Sequence, residues 1–554
     1  MRTDVSGFHV RWNHAVAEMA RSIGAWPDRT VAEFARDRYL AAPERVQIVD
    51  SGLEKSCGEL YEAALALAGW FDAIGLLPGA VVSFQLPNWW EANVINLAAA
   101  MTGVVVNPIV PINRDAEVTY MLNASGTRVV FIPEVFRKFD YPAMIARIAA
   151  ELASPPVVVV VRGRGGQDDP VLPFAEIIAS ASPIAGPRDV DPDAVKLLLY
   201  TSGTTGRPKG VLHTHNSIHA DGMKMIPALG LGPEDMTFSP SPVTHVSGYL
   251  WALNVPWLGD IPAVTVDNWD VSQSFDLVEK YRCAFMLGAT PFLQDMVAEA
   301  RRRGSSLPHL RQYLCGGAAV PPSLIFEAAQ VFSNCIPWRN FGASEALTMT
   351  RGPASRADLA LGAQTDGRLY FCDVRIVDLV TDAPVAPGEE GEILAREPSM
   401  AVGYSLPEHN DGAYDADGYF RMGDVGRLVH GDHIVITGRK KDLIIRSGEN
   451  ISAKEIEDAL IIAPEIEDVA VVSMPSPVTG EAVCAFIVPA PGQSPGIPDM
   501  LRLVEAAGLA KQKTPEHVVL MDELPRTASG KVRKDMLRIR AEEIASAMHG
   551  SMHV

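Results

Sequence analysis

The sequence is poor in cysteine and in positive charge, and each shortage excludes a class of protein. Its 554 residues include six cysteines and no C-x-x-C pair. Such sparse cysteines argue against a disulfide framework and favour small buried thiols in a reducing compartment. The formal net charge of −19 argues against a nucleic-acid binder, because such proteins carry basic surfaces.

Hydrophobic runs of membrane length are also missing. The most apolar stretches, residues 94–106 and 157–161, are too short or too interrupted to span a bilayer. The first thirty residues lack the apolar core of a signal peptide. We therefore expect no integral membrane segment and a cytoplasmic location. An apolar content of 47% with 21% charged residues predicts a large globular core, and the chain length predicts at least two domains.

Helical and strand patterns alternate between residues 58 and 161. Apolar residues recur at helical spacing over 61–74 and 89–101. Short apolar runs of strand length lie between and beyond them, at 81–85, 104–106, 129–132 and 157–161. This alternation predicts an α/β sheet with helices on its faces.

The pattern changes near residue 438. Ser452-Ala453-Lys454-Glu455 predicts a capping box that begins a helix ending at Leu460. Further strands are predicted over 469–473 and 483–488. The segment therefore has the pattern of a small α+β domain of about a hundred residues.

The stretch from Tyr200 to His215, YTSGTTGRPKGVLHTH, raises the question of phosphate binding. It is not a Walker A loop, because Gly203 and Gly206 are only three apart and no Ser or Thr follows Lys209. Its hydroxyls, its glycine N–H groups and its ammonium are nonetheless the donors that hold phosphate. A strand predicted over 197–200 would present the loop.

The first part of this stretch, YTSGTTGRPKG over residues 200–210, resembles the phosphate loop of the adenylate-forming (ANL) superfamily of acyl- and aryl-CoA synthetases, peptide-synthetase adenylation domains and luciferases. Further segments resemble that family's motifs in the family's order: Asn340-Phe341-Gly342-Ala343-Ser344-Glu345, Tyr419-Phe420-Arg421-Met422-Gly423-Asp424, Gly438-Arg439-Lys440-Lys441-Asp442 and Pro525-Arg526-Thr527-Ala528-Ser529-Gly530-Lys531. The resemblance covers the chain from about residue 30 to 540. On it the chain is identified as a member of this superfamily, of the acyl-CoA synthetase type.

The resemblance implies a two-step reaction and a division of the chain. A carboxylic acid and MgATP give acyl-AMP and pyrophosphate, and the thiol of coenzyme A then displaces AMP. ATP, Mg²⁺ and coenzyme A are the cofactors expected. Residues 1–437 are expected to form a large α/β domain with a small β-barrel-like part. Residues 438–442 are the expected hinge, and 443–554 the expected small mobile α+β domain that carries the catalytic lysine.

The resemblance also implies which residues hold the nucleotide. Those expected around the phosphates are Thr201, Ser202, Gly203, Thr204, Thr205, Lys209 and Ser344, the last where the family usually has Thr. Those expected around adenine are Gly316, Gly317, Ala318, Asn340, Phe341 and Gly342, with Phe341 stacking on the base. Asp424 is expected to accept hydrogen bonds from both ribose hydroxyls, a task that suits a carboxylate. Arg439 is expected to reach the ribose and phosphate.

For catalysis, Lys531 is expected to bridge the acyl carboxylate and the α-phosphate, and Glu345 to ligate Mg²⁺. The C-terminal domain is expected to rotate about Lys441 between the steps, which withdraws Lys531 and brings a loop containing Gly448 to the site. His245 lies in a segment that resembles the motif beside the acyl carboxylate. A structural histidine is its alternative.

The acyl pocket is expected to draw on four largely apolar stretches, residues 245–251, 287–292, 315–320 and 343–349. An apolar acyl group is therefore expected. Segments at 286–292, 314–317 and 447–452 look most like those of short- and medium-chain fatty acyl-CoA and cyclohexanecarboxylate-CoA synthetases. Chain length and ring stay open as alternatives.

Other assignments stay open as well. No Asp lies between residues 240 and 253, where amino-acid adenylation domains usually carry one, and this disfavours a peptide-synthetase module. An enzyme that loads a separate carrier protein would use the same motifs. A nucleotide-binding regulator without turnover is disfavoured, because Lys209, Glu345 and Lys531 are all present. The resemblance leaves a homodimer open.

Overall fold

The structure is a computed structural model that describes residues 2–164, 171–201, 208–317, 320–447, 449–526 and 531–550. Its first large element is a seven-stranded sheet, parallel except for one edge strand. In spatial order its strands are Val171–Pro173, Val157–Val161, Val129–Pro133, Val81–Phe84, Val105–Pro108, Val195–Thr201 and Lys209–Thr214.

A second seven-stranded sheet follows the same plan, again with one antiparallel edge strand. Its strands in spatial order are Ile336–Arg339, Gln312–Cys315, Phe285–Gly288, Thr237–Ser239, Ala263–Thr265, Val46–Asp50 and Leu53–Ser56. One apolar core joins the sheets, since it contains Val82 and Phe84 of the first and Ile48 and Ala263 of the second. The predicted α/β architecture is confirmed.

The helix Glu91–Thr102 is buried along its whole length within this shared core. A helix with apolar residues around its circumference is typical of such a position. Its amides are satisfied, because Asn93 Nδ2 and Asn96 Nδ2 each donate to a backbone carbonyl at 3.0 Å. The other helices before residue 440 are His14–Ser22, Val31–Ala41, Cys57–Ala73, Asp115–Ser125, Tyr141–Ile148, Phe174–Ser180, His215–Ala228, Val246–Leu253, Val255–Gly259, Val271–Lys280, Thr290–Arg303, Pro322–Val331 and Leu359–Gln364.

A six-stranded antiparallel sheet corresponds to the part predicted to be barrel-like. Its strands in spatial order are Thr350–Arg351, Arg368–Leu369, His433–Arg439, Phe420–Val429, Gly391–Arg396 and Asp373–Val377. The strand His433–Arg439 leads into a 3₁₀ turn, Lys440–Asp442, at the predicted hinge. Two small hairpins are also present, Arg2–Thr3 with His9–Val10 and Val135–Phe136 with Phe139–Asp140.

The C-terminal unit is a five-stranded sheet with helices, as predicted. Its strands are Glu449–Ser452, Leu443–Arg446, Gly480–Pro489, Ile466–Ser476 and His517–Leu520, and its helices are Ala453–Leu460, Ile497–Ala506 and Lys534–Gly550. The predicted capping box is half wrong. Ser452 Oγ accepts from the Glu455 N–H at 3.3 Å, but the Glu455 carboxylate pairs with Lys513 at 2.5 Å. An ammonium is a stronger partner for a carboxylate than a backbone N–H.

The cysteines are free and mostly buried thiols, as their sparse spacing predicted. All six are free thiols, five of them buried and Cys372 partly exposed. Burial raises the pKa of Cys57 to about 12, so this thiol is protonated at neutral pH. Within the ranges given above, no helix is both long and apolar enough to span a membrane.

Candidate functional site

The phosphate-loop candidate connects the last two strands of the first sheet. Thr201 ends one strand, Lys209 begins the next, and the two are paired across the hairpin. Thr201 Oγ1 donates to the Lys209 carbonyl at 3.4 Å. The carboxyl end of a strand in a largely parallel sheet is the usual position of a ligand-binding loop. Other residues assigned to this loop lie outside the described residues: Ser202, Gly203, Thr204 and Thr205.

The Glu345 loop follows the edge strand Ile336–Arg339 and is tightly folded. A Cβ on Gly342 would lie 1.7 Å from the Leu347 carbonyl oxygen, so no other residue fits there without moving the backbone. The Ala343 N–H donates to the Ala346 carbonyl at 2.7 Å and closes the turn. Glu345 is therefore held at the tip of a loop whose shape depends on one glycine.

Two side chains that the motifs did not indicate hold this loop. Tyr404 Oη donates to Glu345 Oε1 at 2.8 Å, and His213 Nε2 lies 2.7 Å from the Ser344 carbonyl oxygen. A carbonyl only accepts, so His213 carries its proton on Nε2. Burial lowers the pKa of His213 to about 4, which keeps the ring neutral at physiological pH. Local spacing could not identify them, since they lie 59 and 131 residues from their partners.

The residues assigned to adenine lie at the ends of two neighbouring strands of the second sheet. Gly316 and Gly317 follow Gln312–Cys315, and Asn340 follows Ile336–Arg339. A Cβ on Gly316 would lie 3.0 Å from the Asn340 carbonyl oxygen. Phe341 is 8% exposed and packs in an apolar cluster, so its stacking on adenine stays a prediction. Ala318 lies outside the described residues.

Asp424 and Arg439 face each other on adjacent antiparallel strands. Arg439 Nε lies 3.1 Å from Asp424 Oδ1. Asp424 is 4% exposed, and this burial raises the pKa of its carboxyl group, against the opposing effect of Arg439 and Lys531. A desolvated carboxylate beside a cation is an acceptor held in a fixed position.

Lys531 reaches the same place from the C-terminal unit. A Cβ on Gly317 would lie 4.0 Å from Lys531 Cε. Burial and the charge of Arg439 lower the pKa of Lys531, while the carboxylates of Asp424 and Glu345 raise it. The structure thus brings together five sequence-predicted residues that span more than two hundred positions of the chain: Gly317, Glu345, Asp424, Arg439 and Lys531.

His245 caps the helix Val246–Leu253. Its Nδ1 accepts from the Ser247 N–H at 3.3 Å, which assigns the proton of the neutral ring to Nε2. Burial, with the charge of Lys531 in second place, lowers the pKa of His245 to about 4. The imidazole is therefore neutral at physiological pH. It caps the helix through Ser247 and also lies close enough to Lys531 to be affected by its charge.

The hinge candidate is held on both sides. Lys440 Nζ pairs with Glu392 at 2.8 Å on the six-stranded sheet, and Arg538 of the last helix pairs with Asp442 and donates to the Lys441 carbonyl. Burial lowers the pKa of Lys441. Gly448, assigned to the thioester-forming loop, lies outside the described residues.

A buried ion cluster lies directly behind the Glu345 loop. Lys224 Nζ lies 2.5 Å from Glu397 and 4.0 Å from Asp221. The two carboxylates accept from the loop: Glu397 Oε1 from the Leu347 N–H at 3.1 Å, and Asp221 from the Thr348 N–H at 2.9 Å and its hydroxyl at 3.1 Å. The apolar stretch at 343–349 therefore has charged groups behind it that its own sequence did not indicate.

Comparison with known proteins shows the family to which the chain belongs. Residues 35–405 match the family model for AMP-binding enzymes, and residues 455–531 match that for the AMP-binding enzyme C-terminal domain. The chain is 34% identical over 527 residues to a medium-chain fatty-acid–CoA ligase of Escherichia coli (strain K12), covering 94% of this chain and 91% of that one. It is 28% identical to a salicyl-AMP ligase / salicyl-S-ArCP synthetase of Mycobacterium tuberculosis, covering 93% and 91%.

Solved structures of ligases share this fold. The crystal structure of ATP-bound MatB from Rhodopseudomonas palustris superposes with a TM-score of 0.82 at 26% identity, covering 93% of this chain and all of that one. The family matches include the phosphate-loop stretch, the Glu345 motif and the stretch that ends at Lys531. The chain belongs to the adenylate-forming AMP-binding enzyme family, as an AMP-forming acid–thiol ligase.

Proposed function

We propose that the protein is an acyl-CoA synthetase that activates an apolar carboxylic acid of short or medium length, or a cyclic one, with MgATP and coenzyme A. The observation that carries the proposal is the position of Lys531. Its side chain lies beside Gly317 and interacts electrostatically with Asp424 and Glu345. A C-terminal lysine is thereby adjacent to the residues assigned to adenine, ribose and metal.

In the first step Lys531 carries the main catalytic role. A carboxylate and the α-phosphate repel each other, so an ammonium between them lowers the barrier by holding both anions and neutralising the charge that develops. Asp424 and Glu345 favour the charged form of this lysine. His245, neutral with its proton on Nε2, is positioned to donate to a carboxylate oxygen.

Thr201, Lys209 and the hydroxyls between them would hold the pyrophosphate that departs, and Asp424 with Arg439 would hold the ribose. Mg²⁺ is usually bound by one or two carboxylates together with substrate phosphates, and the Glu345 carboxylate fits that donor set. Bound there, the ion would supply charge neutralisation on the phosphate oxygens.

The second step needs the domain division proposed above: residues 1–437, a hinge at 438–442 and a mobile unit at 443–554. In this proposal Lys531 would leave the site after the first step, so that coenzyme A could approach the acyl carbon. Rotation about Lys441 would break the hydrogen bond that Ser452 Oγ donates to the Thr437 carbonyl across the hinge and bring the loop containing Gly448 to the site. The proximity of Lys531 to Gly317 supports assigning the arrangement in the structure to the adenylation step.

The acyl group is proposed to be apolar because the stretches assigned to its pocket are apolar and buried. Val246 is 9% exposed, Leu250 3%, Leu347 5% and Met349 0%. Apart from Glu345, which is assigned to Mg²⁺, the four stretches carry no charged side chain, and such a lining favours an apolar chain or ring. A cytoplasmic location and a homodimer remain part of the proposal; cell fractionation and light scattering would test them.

The first experiment measures pyrophosphate and AMP release from MgATP with a panel of acids, with and without coenzyme A. The panel runs from acetate to palmitate and includes benzoate, cyclohexanecarboxylate and several amino acids. We expect AMP release that requires coenzyme A and is greatest with a medium-length or cyclic acid. Turnover only with amino acids, or none with any acid, would contradict the proposal.

A second experiment separates the two steps. Lys531→Ala should abolish adenylation from ATP but leave thioester formation from supplied acyl-AMP nearly unchanged. Lys511→Ala is the matched control, since this lysine also belongs to the C-terminal unit and lies exposed on its surface. Equal loss of both half-reactions in Lys531→Ala would rule out the proposed rotation.

One alternative has an observation in its favour. A salicyl-S-ArCP synthetase is among the relatives, so the acceptor thiol could belong to a carrier protein. AMP release that requires a phosphopantetheinylated carrier protein, and not free coenzyme A, would decide for this alternative.

A further inference from the structure

A short segment outside the motifs, residues 400–405, ties the phosphate-loop hairpin to the Glu345 loop. On one side the Ala401 N–H donates to the Glu345 carbonyl at 2.8 Å. On the other side the Ser405 N–H donates to the Gly210 carbonyl at 2.7 Å, and Tyr404 pairs with Val211. The segment therefore lies between the edge strand Lys209–Thr214 of the first sheet and the Glu345 loop, which follows an edge strand of the second sheet.

Tyr404 is the side chain of this segment that contacts both assigned sites. Its Oη donates to Glu345 Oε1 at 2.8 Å, and Lys209 Nζ lies 5.1 Å from the centroid of its ring. The ring is 5% exposed, and its backbone is fixed by two hydrogen bonds with the Asn410 side chain, at 3.0 and 3.3 Å. Both contacts thus involve one buried, well-anchored residue.

The charges on either side of Tyr404 are opposite, since the Lys209 ammonium lies over its ring and the Glu345 carboxylate accepts from its hydroxyl. A direct pair would neutralise Lys209 and Glu345 and weaken each toward its own ligand. A phenol avoids this result, because it donates to the carboxylate as a neutral group and attracts the ammonium with its ring face. The hydroxyl is the donor of this hydrogen bond, because a carboxylate only accepts.

We propose that Tyr404 is a positioning residue for adenylation, which orients the Glu345 carboxylate for Mg²⁺ and holds the Lys209 ammonium for the terminal phosphates while keeping the two charges apart. The inference rests on the proposed function, since it uses the roles given there to Lys209 and Glu345. One carboxylate oxygen accepts the hydroxyl, and a carboxylate retains further lone pairs for a metal. In this role Tyr404 would act through Glu345 and Lys209 and not on the substrates themselves.

The two contacts can be removed separately. Tyr404→Phe keeps the ring face for Lys209 and deletes the hydrogen bond to Glu345. Loss of a hydrogen bond to a charged group corresponds to a change of roughly 10-fold or more. We therefore expect the free Mg²⁺ concentration that gives half-maximal ATP binding to rise about 10-fold, while the affinity for ATP measured in EDTA stays within about 2-fold of the unmodified protein.

Tyr404→Leu removes both contacts. It should reproduce the Mg²⁺ effect and also weaken ATP binding in EDTA by about 3- to 10-fold, the size of a lost cation–π contact. Tyr281→Phe is the matched control, because Tyr281 Oη also donates to a glutamate, Glu54, at 2.8 Å on the surface. It should leave both measurements unchanged.

Binding is measured by isothermal titration calorimetry of ATP over a series of free Mg²⁺ concentrations, so no acid needs to be known. If the unmodified protein binds no MgATP, the proposed function and this inference both fail. If it binds and Tyr404→Phe shows the same Mg²⁺ dependence, only the inference fails. An equal loss with and without Mg²⁺ in Tyr404→Phe would indicate a packing role and would also overturn it. Should Tyr404→Leu not fold, the Phe variant alone decides.

Discussion

The buried ion cluster behind the Glu345 loop gives the sharpest test of how this site is supported. In Lys224→Met the chain keeps a side chain of similar length and loses the one cation of the cluster. Lys224 is 3% exposed, Asp221 0% and Glu397 0%. The change would leave two carboxylates buried side by side with no compensating charge, which is among the most costly arrangements in a protein interior.

Removing one partner of a buried ion pair costs about 3–5 kcal/mol, and we expect a loss of that size. Proton uptake by the carboxylates should reduce this loss of stability. Burial already raises the pKa of Asp221 to about 6, and the charge of Lys224 lowers it, so without the lysine the carboxyl group should titrate higher still. A folded-state pKa above the unfolded value means that stability falls as pH rises. The deficit of Lys224→Met should therefore be larger at pH 8 than at pH 5.5.

The assay is urea-induced unfolding followed by tryptophan fluorescence at both pH values. Arg147→Met is the control, because the Arg147–Asp115 pair has a similar length, 3.0 Å, but side chains that are 54% and 45% exposed. Exposed pairs contribute about 0–1 kcal/mol. The triple variant Asp221→Asn/Lys224→Met/Glu397→Gln keeps acceptor oxygens for the loop and removes all three charges, so it should regain most of the loss. A Lys224→Met deficit no larger than that of Arg147→Met, or a triple variant worse than the single one, would refute the reasoning.

Other consequences concern neighbouring parts of the site. His213→Gln should reduce the acid sensitivity of the fold. Burial lowers the pKa of His213 to about 4, so the unfolded state binds this proton first, and about 3 kcal/mol of unfolding free energy is lost as pH falls from about 6.5 to about 4. Urea unfolding at stepped pH measures how the unfolding free energy changes with pH, and the same change in the variant would contradict the assignment. Asp424→Asn should raise the KM for ATP at least about 10-fold in steady-state kinetics with saturating acid, and an unaltered KM would exclude a ribose contact. Gly342→Ala should abolish ATP binding in calorimetry because its Cβ would meet the Leu347 carbonyl at 1.7 Å. Gly186→Ala, with nothing within 4 Å of the new atom, should bind ATP normally, and normal binding by both variants would show that the loop adapts.

The sequence predicted five of the seven strands of the first sheet, because their signals are local, and missed Val171–Pro173 and Lys209–Thr214. The run over 157–161 and the strand Val157–Val161 coincide, and the predicted 129–132 differs from Val129–Pro133 by one residue. β-branched runs bounded by polar segments carry this information within about five residues. The capping box at Ser452 was half wrong for the opposite reason, since the competing partner of Glu455, Lys513, lies 58 residues away.

The same distinction separates the residues that perform the proposed chemistry from those that hold them. Glu345, Asp424 and Lys531 stand in short motifs, so their residue types and order suffice to indicate them. Tyr404 and Lys224 stand in no motif, and their partners lie 59 and 173 residues away. Their function exists only once the fold has brought separate segments together.

It follows that the motifs alone predict which reaction a chain can perform but not how well its loops are held for it. The Glu345 loop is fixed at its carboxylate by Tyr404 and at its following backbone by Glu397 and Asp221. All three contacts are polar and buried or half-buried. In such surroundings a hydrogen bond stabilises the fold more than it does in water, and an unpaired polar group destabilises it more. Substitutions at these positions should therefore impair ATP use while every motif remains intact. Such a loss of activity would be invisible to any analysis of the motifs and would be read correctly only from the contacts behind the loop.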